Sequence, residues 1–305
     1  MQRNTNLTLK EACEKYLDNC VQRNLSEFTV LHYRESYSHF YKFFGAEMPL
    51  DEMDKEQYDA FLGYLRTITD NDRTIRCYQR NLMTVLRYLM REGYMESFEM
   101  QAVRVGRSSV ETYSDEELGI LLKKPNMKQC DYLEYQCWVM VNMLFSTGIR
   151  QRSLLHLQVQ DVDFENALLT VRITKNRNAL VLPLNHTMVS ILKDFLKHRQ
   201  HKSKDDWLFC NIYGQQLVKT TCYRMLAVYN KKRGVETTGI HRFRHTFAKQ
   251  WILNGGNVVT LSKLLGHSSL NITQNYINLL TTDLSKQVEE INLLDKYAAK
   301  KRIKM

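Results

Sequence analysis

One stretch decides the organisation of this chain: residues 239–279, GIHRFRHTFAKQWILNGGNVVTLSKLLGHSSLNITQNYINL. Its first part predicts a helix, because two sets of residues recur at three- and four-residue steps. The polar face comprises His241, Arg244, His245 and Ala248, and the mostly aromatic face comprises Phe243, Phe247, Trp251 and Asn254. We therefore expect the aromatic face to anchor the helix and the cations to point away from it.

Two glycine stops follow this helix. Gly255 ends it, and a short helix to Leu265 ends at Gly266, since glycine readily takes the left-handed conformation found after helices. His267 comes directly after the second stop, and Tyr276 lies nine residues further on. Arginine and histidine side chains brought to one place suit a phosphate. A tyrosine beside them could attack that phosphate if the cations stabilise its phenolate.

These motifs resemble the signature of the tyrosine recombinases, the phage-integrase family. The family pattern runs from Thr-Gly-aliphatic-Arg, through a lysine on a β-hairpin, to His-x-x-Arg, Leu-Gly-His and a tyrosine nine residues later. Residues 147–150 read Thr-Gly-Ile-Arg, and residues 168–183 read as two short strands around a polar turn. The matching positions, which are the candidate catalytic residues, are Arg150, Lys175, His241, Arg244, His267 and Tyr276.

The resemblance implies a fold and a domain plan. We expect a mainly α protein with a small β-hairpin or sheet (α+β). Residues 1–106 would form a helical, SAM-like core-binding domain on DNA, 107–113 a linker, and 114–282 the catalytic domain of the DNA breaking-rejoining type. Residues 283–305 would form a C-terminal helix, which either packs on its own domain or, as the resemblance implies, is exchanged between protomers.

The resemblance also implies a mechanism. Tyr276 would attack a backbone phosphate, forming a 3′-phosphotyrosyl link and freeing a 5′-hydroxyl. Arg150 and Arg244 would hold the non-bridging oxygens with His267 as a further donor, Lys175 would protonate the leaving oxygen, and His241 would accept the tyrosine proton. No cofactor or metal is required, because the phosphotyrosine conserves the bond energy. One position departs from the family: its usual acidic residue, three positions after the first arginine, is Ser153.

Composition agrees with a nucleic-acid partner and excludes other classes. The chain has 305 residues and a formal charge of +10. Residues 1–106 carry 14 basic and 16 acidic side chains, whereas the remainder carries 29 and 17. The seven cysteines form no C-x-x-C pair, so a disulfide framework or structural zinc site is not predicted. With neither a signal peptide nor a long apolar run, we expect a cytoplasmic, nucleoid-associated protein without membrane contact.

The N-terminal part predicts four helices, spanning residues 9–23, from 26 onward, after 54, and 74–91. Capping residues at Thr8, Ser26 and Asp54 mark the starts of the first three. Their apolar stripes, which include Phe28, Leu31, Tyr37 and Phe40, favour core packing. The fourth helix carries arginines on one side, predicted to contact DNA: Arg73, Arg76, Arg80 and Arg87.

Further elements are predicted in the C-terminal part. A capping box at Ser114 opens one helix, a buried helix spans 132–146, and others span 188–198 and 219–232. Residues 206–211 read as a strand. Beyond Tyr276, an apolar stripe precedes a basic end: Leu284, Val288, Ile291, Leu294 and Tyr297.

Helix signals that begin at Thr8 leave no room for the extra arm-binding domain of many phage integrases. We therefore expect a simple two-domain recombinase: a mobile-element integrase, an invertase or a Xer-type resolvase. Its partners would be a double-stranded recombination site, three further copies in a tetramer on DNA, and a directionality factor. The free protein would be a monomer.

Three other interpretations remain open on the residues. A type IB topoisomerase shares the same chemistry, and a DNA-binding regulator could retain the fold without activity. His241 and His245 lie four residues apart, as zinc ligands do in H-E-x-x-H proteases, but Arg242 stands where the glutamate is required.

Overall fold

The computed structural model describes residues 7–106, 111–174, 178–267, 269 and 273, and it divides into two compact units, residues 1–108 and 109–305. Helices dominate both units, and a small antiparallel sheet belongs to the second, as predicted. No helix in the described part of the chain is both long and apolar enough to cross a membrane.

Four α-helices build the first unit: α1 (Leu9–Gln22), α2 (Glu27–Phe44), α3 (Lys55–Ile68) and α4 (Asp72–Arg91). The predicted caps are confirmed, because side-chain oxygens of Thr8, Ser26 and Asp54 accept the first free backbone N–H groups. Asn71 caps α4, so that helix begins two residues earlier than predicted. Each helix is thus started by a polar side chain that its own sequence supplies.

The core of this unit is rich in aromatic rings. Tyr37, Phe40 and Phe61 are at most 1% exposed, and the rings of Phe40 and Phe61 meet edge to face at 5.4 Å. The expectation of core packing is wrong for Phe28 and Leu31, which are 70% and 53% exposed. At about 3.6 residues per turn, both lie on the side of α2 opposite Phe40.

The second unit is built around one buried helix. Within the described residues its helices are α5 (Asp115–Leu122), α6 (Tyr132–Thr147), α7 (Gln151–Leu155), α8 (His186–His198), α9 (Lys219–Lys232), α10 (Ile240–Leu253) and α11 (Val258–Leu265). The buried helix is α6, which packs against α5, α8, α9 and α10. It is apolar on almost every side, which is typical of a helix enclosed by others.

A three-stranded antiparallel sheet adjoins this bundle, in the order β1 (Val162–Asp163), β2 (Leu168–Val171) and β3 (Leu180–Pro183). Leu169 pairs with Leu182, and both are buried, which sets the register of the predicted hairpin. The strand predicted at 206–211 is wrong. Only single bridges occur there, from Trp207 to Gln158 and from Cys210 to Gln216, because no neighbouring segment runs alongside for long enough.

Gly148 allows the end of α6 to approach two other helices. Its φ of 62° lies in the left-handed region, where a side chain is strained. A Cβ atom here would also stand 2.6 Å from the ring of Phe247 and 2.7 Å from Leu265. Glycine is therefore required both by the turn and by the close contact with α10 and α11.

Candidate active site

Arg244 forms the buried centre of the candidate site. It lies on α10 and is only 6% exposed. Its guanidinium donates to the carbonyl oxygens of Gly148 and Leu265, each at 2.7 Å, and contacts Nε2 of His267 at 2.9 Å. The sequence places Arg244 on the polar face of this helix, and its deep burial was not predicted. Two helix ends supply carbonyls that hold its charge, since helix C-termini carry partial negative charge.

Arg150 approaches the same turn from a different element. It is the residue before α7, and its Nη2 donates to the carbonyl of Gly266 at 3.5 Å, a long hydrogen bond. Gly266 has a φ of 58° and ends α11. Two arginines that are 94 positions apart in the sequence thus converge on the turn that carries His267.

His267 lies between these arginines and a buried threonine. Its Nε2 faces Arg244, and its Nδ1 lies 2.8 Å from Oγ1 of Thr273, which is fully buried. Burial lowers the pKa of His267 to about 4, and the charges of Arg244, Arg150 and His245 add to this effect. The ring is consequently neutral at physiological pH.

His241 and His245 extend the site along α10. The His241 side chain reaches the surface, but part of its ring is shielded from water. This desolvation lowers its pKa, and the charges of Arg244, Lys219 and Arg150 lower it further. Burial likewise lowers the pKa of His245, aided by His241 and Arg244. A neutral imidazole at His241 can accept a proton. Among the described residues, no group of three or more His, Cys, Asp or Glu side chains is placed to bind a metal.

Ser153, at the position where the family has an acid, bonds to the hairpin. Its hydroxyl donates to the carbonyl of Ile173 at 2.7 Å, and the residue is 5% exposed. Ile173 follows β2 and lies two positions before Lys175 in the sequence. A neutral side chain therefore holds the backbone just after β2.

Lys175 and Tyr276 lie outside the described residues. The structure thus brings together Arg150, Arg244, His241 and His267, and the other two candidates stay predictions.

The arginines of α4 divide into two groups. Arg73, Arg80 and Arg87 are exposed on the helix. Arg76 is half-buried, and its Nη1 donates to Oε1 of Gln79 at 3.2 Å. Gln79 is fully buried and also accepts from the backbone of Val103 and donates to that of Gln101. Arg76 therefore supports the packing of the following segment as well as the basic surface.

Two contributors were not identified from the sequence. Thr273 contacts His267 six positions away, and no motif that we used marks a threonine there. Lys219 adds positive charge near His241, and its carbonyl accepts from Gln151, the neighbour of Arg150. This contact joins α9 to α7, and only the folded chain reveals it.

Comparison with known proteins identifies the family of the chain. Residues 111–282 match the Phage integrase family, and residues 8–105 match the Phage integrase SAM-like domain. Tyrosine recombinase XerA of Pyrococcus furiosus is 28% identical over 239 residues, which cover 77% of this chain and 80% of the relative. Tyrosine recombinase XerD of Listeria innocua is 24% identical over 271 residues, covering 85% and 90%.

Solved structures share the fold. The Tn1549 transposon integrase in complex with a circular intermediate DNA has a TM-score of 0.71 and 20% identity, covering 87% of this chain and 94% of that one. The XerH recombinase bound to palindromic difH substrate has a TM-score of 0.69 and 22% identity, covering 93% and 84%. With the matching domains and the convergent arginines and histidines, the chain belongs to the phage integrase family.

Proposed function

We propose that this protein is a site-specific DNA recombinase that cleaves and rejoins DNA through a 3′-phosphotyrosyl intermediate. The observation that carries the proposal is the convergence of Arg150, Arg244 and His267 on the turn at Gly266. Positive charge held in advance at one point stabilises a phosphorane transition state without reorganisation. The relatives that span most of the chain are named tyrosine recombinases.

In the proposed reaction, the Tyr276 oxygen bonds to phosphorus and loses its proton to His241. The bond from phosphorus to the 5′-oxygen breaks, and Lys175 protonates the leaving oxygen. Arg150 and Arg244 hold the non-bridging oxygens. A 5′-hydroxyl from a partner duplex reverses these steps, so the bond energy is retained and recombination is completed by two such exchanges.

The proposed partner is a double-stranded recombination site, on a mobile element in the cytoplasm. Four copies would act together on two sites, and the free protein would be a monomer. A directionality factor could favour one outcome. Arg73, Arg80 and Arg87 are proposed to contact the DNA backbone, because they are exposed and no acidic residue follows Asp72 within α4.

Covalent capture tests the proposed nucleophile. A nicked suicide substrate carrying the recombination site should form an adduct with the wild-type protein and none with Tyr276→Phe, which loses a single hydroxyl. Tyr213→Phe is the matched control, since Tyr213 is 80% exposed on a loop. Equal adduct formation by Tyr276→Phe would refute the assignment.

The same assay in excess EDTA tests the chemistry, because every proposed transition-state cation is a side chain. Adduct formation should be unchanged. If EDTA abolished it and added zinc or magnesium restored it, the proposed metal-free chemistry would be wrong. Exchange of strands between two sites, measured with the same protein, separates a recombinase from a topoisomerase.

A further inference from the structure

The environment of His267 determines which of its nitrogens carries a proton. Nε2 lies 2.9 Å from Nη2 of Arg244, and Nδ1 lies 2.8 Å from Oγ1 of Thr273. A guanidinium can donate hydrogen bonds but cannot accept them. Nε2 must therefore be the acceptor, and the proton of the neutral ring lies on Nδ1, which donates to the threonine oxygen.

The low pKa of His267 agrees with this arrangement. Among the described residues, the charged or titratable groups that face the ring are Arg244 and His245 from α10 and Arg150 from the start of α7. The arginines favour the neutral imidazole, so what remains to be determined is which of the two ring nitrogens carries its single proton. Thr273 is fully buried, and its oxygen stands on the Nδ1 side of the ring.

The tautomer in turn affects Arg244. The guanidinium donates to Gly148, Leu265 and His267, and each acceptor lies on a different element or turn. If the proton were on Nε2, an N–H of the ring would face an N–H of the guanidinium, and this contact would become repulsive. An arginine that must hold phosphate oxygens would then lose part of its orientation.

We propose that Thr273 is a positioning residue, whose hydroxyl oxygen holds His267 in the Nδ1–H form so that Nε2 accepts from Arg244 and orients its guanidinium. The consequence for DNA cleavage rests on the proposed function. The effect on the tautomer does not, because it exists in the free protein.

Nitrogen-15 NMR of histidine-labelled free protein tests the proposal. The His267 ring, assigned by its loss in His267→Gln, should show the Nδ1–H pattern in the wild type. Thr273→Val keeps the shape of the side chain but removes the hydroxyl that accepts from Nδ1–H. Burying that N–H without this acceptor is costly, so the ring should shift toward Nε2–H even against the contact with Arg244. Thr273→Ser should restore Nδ1–H. A wild-type ring with Nε2–H, or an unchanged tautomer in Thr273→Val, would overturn the proposal.

Cleavage of the suicide substrate supplies a second readout. Thr273→Val should slow single-turnover cleavage about tenfold, the effect expected for one lost orienting hydrogen bond, and leave half-site affinity unchanged. Thr273→Ser should recover most of the rate. Thr246→Val is the control, since Thr246 is equally buried on α10 but bonds to the backbone of Arg242 and Tyr113.

The outcomes separate the two proposals. If Thr273→Val does not fold, Thr273→Ala, which also lacks the hydroxyl, supplies the same comparison of tautomers. If Tyr276→Phe forms adducts while the tautomer behaves as expected, the proposed function fails and the positioning role stands. If the tautomer shifts but the rate does not, Thr273 has no role in orienting Arg244 for cleavage.

Discussion

At the scale of single residues, the site depends on neutral imidazoles packed beside fixed cations. The pKa values of His241, His245 and His267 are all lowered, in each case first by burial; Arg244 comes next for His241 and His267, whereas for His245 the charge of His241 precedes that of Arg244. Such a cluster keeps the proton acceptors of the site uncharged at neutral pH. It also makes the folded state sensitive to acid, since the unfolded chain can protonate these rings.

The sign and size of this effect follow from His267. Its pKa is about 4 in the folded protein and near 6.5 when unfolded, so between these values the unfolded state binds an extra proton. Stability is therefore lost as pH falls through this window. Between pH 7.5 and 5.0, and allowing for partial exposure, we expect His267 to account for a loss of about 1–2 kcal/mol. Urea titrations of the wild type and His267→Asn at both pH values measure it.

The contribution of the carboxylates to the pH dependence cancels in this comparison, because they titrate in both proteins. The free energy of unfolding of His267→Asn should fall less on acidification than that of the wild type. If the free energy of unfolding fell equally in the two proteins, the pKa of His267 would be the same in the folded and unfolded states.

At the scale of secondary-structure elements, the helices could be predicted because the residues that start them are neighbours in the sequence. Thr8, Ser26, Asp54 and Ser114 announce helix starts within four residues, and all four cap as predicted. The prediction of a strand at residues 206–211 was wrong because a strand also needs a pairing partner, which the residues of the segment itself do not specify. Likewise, motif spacing brought Arg150, Arg244 and His267 together, whereas the depth at which Arg244 is buried and the role of Thr273 required the fold.

The exposed arginines of α4 give the prediction that belongs to this scale. Replacing Arg80 and Arg87 by glutamine should weaken DNA binding and reduce the slope of log affinity against log salt by roughly 1–2, because each phosphate contact releases about one counterion. Arg76 is left intact, since it bonds to the buried Gln79 and its loss would also disturb packing. Filter binding or fluorescence anisotropy across salt concentrations measures both quantities.

The control removes the same charge elsewhere in the unit. Arg34→Gln with Lys55→Gln takes away two exposed cations that pair with Glu14 and Asp59. Its slope should stay at the wild-type value. If both double variants change the slope equally, the effect arises from net charge and the face of α4 has no special role.

At the scale of the whole molecule, the second unit has a groove that the described residues leave open. It encloses about 640 Å³ between α5, α6, α8 and α10, and its apolar wall includes Phe145, Ile191, Phe247 and Trp251. The predicted tail stripe, from Leu284 to Tyr297, lies outside the described residues and has apolar side chains at helical steps. We propose that this groove receives the tail of a second copy, each buried side chain contributing roughly 1.5–3 kcal/mol.

Truncation after Leu284 tests this exchange. The shortened protein should remain folded and bind a half-site, because the buried residues from Tyr113 to Phe243 already form a continuous core. It should lose cooperative filling of the full site and recombination. Ile191→Glu, which puts a charge in the groove, should have the same effect, whereas Ile120→Glu should not, since Ile120 is 43% exposed on α5 and lies outside the groove. Unfolding of the truncated protein would place the tail on its own copy, and normal recombination would show that no exchange is needed.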